Sequence, residues 1–350
     1  MPASRTSDPM MEITSQQPDS SGVSATLFAL GFFCALLLIF GFSAEGRERQ
    51  KIPRIGVIVN GSISSDGSRI EAFRQGLREL GYVEGQNITI DYLYGEGKIE
   101  GFPGMVTELL RLKVDVIAVG GTPAALAAQK ASITTPVVFA TVADPLSVKL
   151  ISSLGHPGGN ITGITTINAE LTPKRLEVIR EAVGPLSRVA FLYNPADPSN
   201  IVSLKELQAL ANKLKLTLDS VGVRKGVELD RAFSVMAARR TDALVVAAGT
   251  LTDTHRKQIV VLAAKTKVPA MYGEKVFVEA GGLMSYAANF SESWRRAATY
   301  VDKILKGANP ADLPVEQPRK FELVVNIKAA KQIGLRIPQS LVFSADEVIK

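Results

Sequence analysis

The side chains that most often carry out chemistry are thinly spread in this chain. It has one cysteine, Cys34, and two histidines, His156 and His255, standing 99 positions apart. One cysteine excludes an internal disulfide and a cysteine-based zinc site, and two distant histidines leave no His-rich ligand set. His156 lies in the turn-like run His156-Pro157-Gly158-Gly159-Asn160, and His255 opens a helical pattern; neither has an identifiable serine or cysteine partner. No G-x-S-x-G elbow or P-loop occurs. No catalytic residue, metal or cofactor is therefore expected. The chain offers instead a set of short polar motifs, each following a β-branched run. After Val119 comes Gly120-Gly121-Thr122-Pro123-Ala124-Ala125. Thr122 is a good N-cap and Pro123 fits the first helical position. The N–H groups and dipole of such a helix start suit a carboxylate or phosphate, although a cap with no ligand explains the same residues. A dinucleotide fingerprint would need a third glycine. Val142-Ala143-Asp144-Pro145 repeats the design with an acidic residue. Asp144 either caps its helix or accepts from a ligand hydroxyl or ammonium. The hydroxyl-rich run 61–67, Asn194-Pro195 and Gly249-Thr250 hold equivalent places. Tyr272 and Tyr286 are either aromatic walls of a site or core tyrosines.

The elements that must position these motifs repeat. Strands are predicted at 55–60 (IGVIVN), 88–94 (ITIDYLY), 115–119 (DVIAV) and 137–141 (VVFAT). Near-continuous apolar runs of this length suit strands buried on both faces of a parallel sheet. Between them, Ile70, Phe73, Leu77 and Leu80 keep helical spacing, as do Val106, Leu109 and Leu110. The pattern restarts with strands at 189–193, 216–221, 243–247 and 269–272, and helices at about 200–214, 229–239 and 253–265. Two successive open α/β units follow. Segments 161–166, 281–289 and 310–318 are suited to cross between them, with helix 294–305 returning to the first. The predicted fold class is α/β, two Rossmann-like lobes with parallel central sheets joined by three crossing segments. The first lobe takes 52–163 plus about 290–310, and the second 164–289 plus about 319–350. Ligands bind outside the carboxyl ends of such strands, so two facing lobes make a cleft that closes by a hinge.

Residues 1–46 are of another kind. The stretch 23–42 (VSATLFALGFFCALLLIFGF) is uncharged and long enough to span a bilayer. It reads as an export signal or membrane anchor. The chain is thus expected to be exported and periplasmic, with this segment either cleaved or holding it to the inner membrane. Setting 1–46 aside removes one basic and four acidic residues, so 40 Lys+Arg and 34 Asp+Glu become 39 and 30, a net +9. These charges are scattered, without the basic block that nucleic acid requires. No nucleic-acid partner is expected.

Several longer runs resemble one family. They are 76–92 (GLRELGYVEGQNITIDY), 120–128 (GGTPAALAA), 143–163 (ADPLSVKLISSLGHPGGNITG), 279–290 (EAGGLMSYAANF) and 295–326 (RRAATYVDKILKGANPADLPVEQPRKFELVVN), with the tail ending ADEVIK. Together they resemble the substrate-binding proteins of ABC transporters that include tryptophan- and tyrosine-type binders, over about 52–350. The resemblance implies a type-I periplasmic-binding-protein fold and a non-enzymatic role, in which a monomer captures a small solute and presents it to a membrane permease. Carried over by position, it implies contacts from Ser62, Ser65, Thr122, Pro123 and Asp144 in one lobe, and from Asn194, Gly249 and Thr250 in the other. A ligand carboxylate would sit on the Thr122 helix start. The aromatic-amino-acid binders place an acidic residue for the ammonium near Gly249, whereas this chain has none until Asp253. An unpaired buried ammonium is costly. The expected ligand is therefore a small polar or carboxylate metabolite, or an amino acid if Asp144 or Asp253 receives the ammonium. The alternatives are a ligand-sensing domain retained by its N-terminal helix, and an α/β enzyme using Asp144 as base.

Overall fold

The computed structural model describes residues 51–131 and 134–350. The apolar stretch 23–42, and the export reading attached to it, lie outside the described residues.

The first lobe is built from β1 (Arg54–Val59), α1 (Ile63–Glu79), β2 (Thr89–Tyr94), α2 (Phe102–Arg111), β3 (Val116–Val119), α3 (Thr122–Ala131), β4 (Val137–Val142) and β5 (Ile161–Thr165). The strands are all parallel, in the order β2-β1-β3-β4-β5. Alternation divides their side chains between two cores. Ile55, Val57 and Val59 pack with Phe73 and Leu77 of α1, while Ile58, Ile117 and Phe139 pack with Phe102 and Leu109 of α2 and with α3. Both faces are covered, which is why the strands read as unbroken apolar runs.

The second lobe holds α4 (Leu171–Val183), β6 (Arg188–Tyr193), α5 (Pro198–Lys213), β7 (Thr217–Gly222), α6 (Leu229–Ala238), β8 (Ala243–Val246), α7 (Thr250–Thr254), α8 (Arg256–Thr266), β9 (Ala270–Tyr272), α9 (Val276–Glu279) and β10 (Met284–Ala287). Its strands repeat the first order as β7-β6-β8-β9-β10. Helix α10 (Phe290–Leu305) then packs on the first lobe, where Trp294 meets Phe73 edge-on at 5.8 Å. The chain returns through β11 (Glu322–Asn326), α11 (Ile327–Gln332), α12 (Gln339–Ser344) and β12 (Glu347–Ile349). Strand β11 runs antiparallel to β10, and β12 is parallel to β11. The fold is the two-lobed α/β architecture expected, with parallel-dominated sheets joined by three crossings.

Three local differences from expectation have physical causes. Segment 161–166 was expected to cross, yet it supplies β5, and the crossing starts at Thr166. Helix α4, whose Leu176 and Ile179 complete the second core, was not anticipated. Helix α1 begins at Ile63 because Ser62 and Ser65 form a capping box, so most of the hydroxyl-rich run is helical.

Arg175 of α4 pins the crossings. Its Nε donates to Tyr286 O at 2.8 Å, Nη1 to Asn168 O at 3.0 Å, and Nη2 to Asn168 Oδ1. Burial pushes its pKa down to about 9. That still leaves a charged guanidinium near neutral pH, now shared among carbonyl groups on the first crossing and on β10.

Candidate functional site

The first sheet and five strands of the second share the order 2-1-3-4-5, so in each the sense of the connections reverses between the first and third strands. Such a switch point opens a crevice at the carboxyl edge. The two crevices face each other and enclose a cavity reached by Asn60 after β1, Gly121 to Pro123 after β3, Thr141 and Ala143 around the end of β4, and Thr166 after β5. The second lobe contributes Asp197 and Ser199 at the start of α5, and Ala248, Gly249, Thr250 and Asp253 after β8. Arg69 of α1 and Phe290 of α10 complete the wall. A wider groove lies between α10 and the third crossing, where Arg296 donates to Glu316 at 2.8 Å.

The start of α3 is held open to the cavity. Gly121 has φ 77°, and a Cβ there would stand 2.5 Å from Asn60 Nδ2, so glycine alone fits. Its N–H donates to Thr141 Oγ1 at 3.1 Å, and Thr122 Oγ1 accepts from Ala143 N at 3.3 Å. These bonds fix the loop, and the first N–H groups of the ten-residue helix have no intrahelical acceptor.

Across the cavity, Asn200 ties two strand ends together. Its Oδ1 accepts from Asn194 N at 2.9 Å and its Nδ2 donates to Ala248 O at 3.0 Å. Asp197 caps α5, accepting from Ser199 N at 3.0 Å and Ser199 Oγ at 2.7 Å. Asp253 N donates to Gly249 O at 2.9 Å, one helical turn on, so the Asp253 carboxylate stands beside Gly249 in the wall. Burial pushes the pKa of Asp197 and of Asp253 up to about 6. Three buried oxygens lining the cavity have no hydrogen-bond partner: Thr250 Oγ1 and Asp253 Oδ1 in this wall, and Asn60 Oδ1 on the first-lobe side. The cavity is bipolar, with N–H donors at α3 on the first-lobe side and the orphaned Thr250 Oγ1 and the Asp253 carboxylate on the second-lobe side. Among the described residues, no group of three or more His, Cys, Asp or Glu is arranged to hold a metal ion.

Of the residues singled out from the sequence, Thr122, Pro123, Gly249 and Thr250 meet at this cavity. The other four stand outside its lining. Ser62 and Ser65 cap α1, Asp144 Oδ1 accepts from Ser147 N at 3.0 Å, and Asn194 Oδ1 accepts from Ala196 N at 2.9 Å. Their side chains are engaged in local turns, which is the commoner role for such residues after a strand. Tyr272 is buried in the second-lobe core against Phe277 at 4.8 Å, and Tyr286 lies against Phe321 at 6.0 Å. Arg69, Asn60 and Asp197 were not anticipated. For Asp253, the Gly249 to Asp253 spacing of one helical turn was the available signal.

Asp197→Asn tests the electrostatics of this wall. Asparagine caps a helix as well as aspartate and removes the buried charge. The folded pKa of Asp197 is raised above the unfolded value of 3.8. Its contribution to stability is therefore complete below about pH 4 and is lost as pH rises through about 6. Two pKa units set a ceiling of about 3 kcal/mol, and about 1–2 kcal/mol is expected after relaxation. The variant should unfold roughly 3–6 °C above the wild type at pH 7.5 and level with it at pH 4. A pH-independent difference in thermal unfolding would exclude this account.

Comparison with known proteins adds a second line of observation. Residues 54–349 match the family model described as ABC transporter substrate binding protein. A tyrosine-binding protein of Clostridioides difficile is 24% identical over 266 residues, 76% of each chain. A domain from Streptococcus pneumoniae, solved in complex with L-Trp, is 28% identical with a TM-score of 0.79, covering 85% of this chain and 99% of that one. A conserved domain protein from Vibrio cholerae is 26% identical with a TM-score of 0.79, covering 85% and 100%.

Proposed function

This chain belongs to the family of ABC transporter substrate-binding proteins, and from that premise we propose that it captures a small amino-bearing carboxylate in the cleft and presents it to a membrane permease. The observation that carries the ligand class is the bipolar cavity. A carboxylate on the solute accepts from the N–H groups at the start of α3, where Gly121 permits close approach. A protonated amine donates to Asp253 Oδ1 and Thr250 Oγ1, both buried and orphaned. A buried acceptor without a donor costs about 1–3 kcal/mol, more for a charged group, so a ligand amine relieves an existing penalty. Tyrosine and L-Trp, the ligands of two of the relatives, each carry both groups. In this reading Asp253 receives the ammonium, and Asp144 is left to its turn.

The role is that of a carrier rather than an enzyme. Closure about three crossings, with Arg175 fixing their geometry, alternates between release and capture. The permease and the extracytoplasmic location are part of the proposal. They rest on the family, and on residues 23–42 as signal or anchor. Calorimetric titration of the full chain tests the ligand class. Amino acids are compared with the carboxylic acids that lack the amine. The best amino acid is expected to bind about 100-fold tighter than its des-amino counterpart, as loss of a buried charge pair costs 2–5 kcal/mol. At 100 times its dissociation constant it should stabilise the fold by about 2.7 kcal/mol. Equal affinities for the two forms would remove the amine from the reading.

A further inference from the structure

Arg69 is the element of this cleft that the solute-binding role leaves unexplained. It sits in α1 of the first lobe, with its side chain 6% exposed. Nη1 donates to Asp66 Oδ1 at 2.5 Å, one turn earlier on the same helix. Its guanidinium carbon lies 5.4 Å from the centre of the Phe290 ring. Those two contacts anchor it to the first lobe. Nη2 reaches the other lobe, donating to Glu274 Oε1 just after β9 and lying 3.5 Å from Asp253 Oδ2. One cation is thus shared by three buried carboxylates, and one oxygen on each second-lobe carboxylate, Asp253 Oδ1 and Glu274 Oε2, is left without a partner.

We propose that Arg69 is a cross-cleft latch that makes lobe closure conditional on a positive charge carried by the ligand. Closing the lobes moves Glu274 and Asp253 out of water and against Arg69. Burying charge is unfavourable unless it is paired, and one guanidinium does not balance three carboxylates; Arg256, whose Nη1 donates to Asp253 O at 2.9 Å, adds only a weaker pull on the Asp253 carboxylate. Arg69 neutralises Glu274 and holds the two lobes in register, leaving Asp253 short of a cation. A solute amine supplies that charge, and closure then becomes favourable. Arg69 is therefore a positioning residue, and the cluster discriminates by charge before any fit of the ligand side chain. The inference rests on the proposed amino-bearing ligand for its second half. The latch itself rests on the Arg69 contacts alone.

The prediction that separates this from a merely structural role concerns Glu274→Gln. Removing that negative charge lets Arg69 serve Asp66 and Asp253, so closure no longer needs an added cation. Inter-lobe energy transfer measures closure in the full chain, with dyes on K130C and K213C in a C34S background. The probe is an equimolar pool of the twenty common amino acids, with the matching des-amino acids as a second pool. In the wild type the amino-acid pool closes the lobes and the des-amino pool does not. In Glu274→Gln, the probe-free signal should move at least halfway to the closed value, and the difference between the pools should shrink. Arg69→Met, checked for cooperative unfolding, should stay open with either pool. A probe-free signal in Glu274→Gln equal to that of the wild type overturns the latch, as does wild-type closure of Arg69→Met. If neither pool closes the wild type while Glu274→Gln still shifts, the latch stands and the amino-solute reading fails. If the amino-acid pool closes the wild type but Glu274→Gln does not shift, the latch fails alone.

Discussion

Replacing Gly163 by alanine is expected to lower stability by about 3–5 kcal/mol, the range of severe core lesions, and the unfolding midpoint by roughly 10 °C. Gly163 lies in β5, paired with Phe139 of β4 at a point where the register shifts. Its φ is 149°, and a Cβ would fall 2.0 Å from Phe139 O and 2.7 Å from Phe139 N. Those atoms belong to a buried strand and cannot rotate aside, so relief would need separation of β4 from β5. The same glycine docks the third crossing. Its carbonyl accepts from Glu316 N at 3.0 Å, while Thr165 N donates to Glu316 O at 2.9 Å. Alanine would therefore damage the first sheet and loosen a hinge segment together. Gly159→Ala is the control, because a Cβ there meets nothing within 4 Å, and it should stay within about 0.5 kcal/mol. Denaturant unfolding of the two variants decides the matter. Equal stabilities would mean that the strand pair yields far more than its packing suggests.

The difference between Gly163 and Arg69 as sequence signals is a matter of range. A glycine inside a β-branched run breaks a local pattern, and local patterns follow from chain geometry alone. The strands, their order of appearance and the helix start at Thr122 are of this kind. The positions of Thr122, Pro123, Gly249 and Thr250 at the cavity follow once the strand ends are known. Arg69 looks like one more charged residue on an amphipathic helix. Its importance comes from Glu274, 205 positions away, and no local pattern encodes that distance. Ser62, Ser65, Asp144 and Asn194 mark the opposite limit. Short polar side chains after a strand serve the backbone as readily as a ligand, and only their hydrogen bonds tell which. Helix α4 was missed for a simpler reason. Its buried set includes Thr172 and Arg175 beside Leu176 and Ile179, so its apolar stripe is interrupted by the residues that pin the crossings.

The charge arithmetic of the cleft also explains why the second lobe tolerates an arrangement that costs stability. Asp197 and Asp253 are both held above the ordinary carboxylate range by burial, so near neutral pH each resists the ionised form it must adopt. Sites prepared for a ligand commonly carry such a cost, which binding then offsets. Asp197 has two donors from Ser199 on one oxygen. Asp253 instead relies on Arg69 at 3.5 Å and leaves Oδ1 bare. Of the two, Asp253 has more to gain from a cation.

Asp253→Asn should accordingly weaken binding of the preferred amino acid by about 100-fold or more, since removing one partner of a buried charge pair costs 2–5 kcal/mol. Shape is preserved, so the loss reports charge. The ligand-free protein should be no less stable at pH 7.5, because the substitution removes a carboxylate whose ionisation burial disfavours, and Asp66 and Glu274 still hold Arg69. The pH dependence carries the sharper test. Burial in the closed cleft raises the Asp253 pKa from 3.8 to about 6 when no cation is added, whereas a bound ammonium favours the ionised form and lowers it. Wild-type affinity should therefore fall as pH drops through the carboxylate range, and binding there should release protons, readable by calorimetry in buffers of different ionisation enthalpy. In Asp253→Asn most of that release should vanish, leaving only what Asp197 contributes. A variant that binds within threefold of the wild type, with proton release intact, would show that the ammonium is received elsewhere. A variant that loses both affinity and proton release while unfolding no earlier than the wild type would fix Asp253 as its receptor.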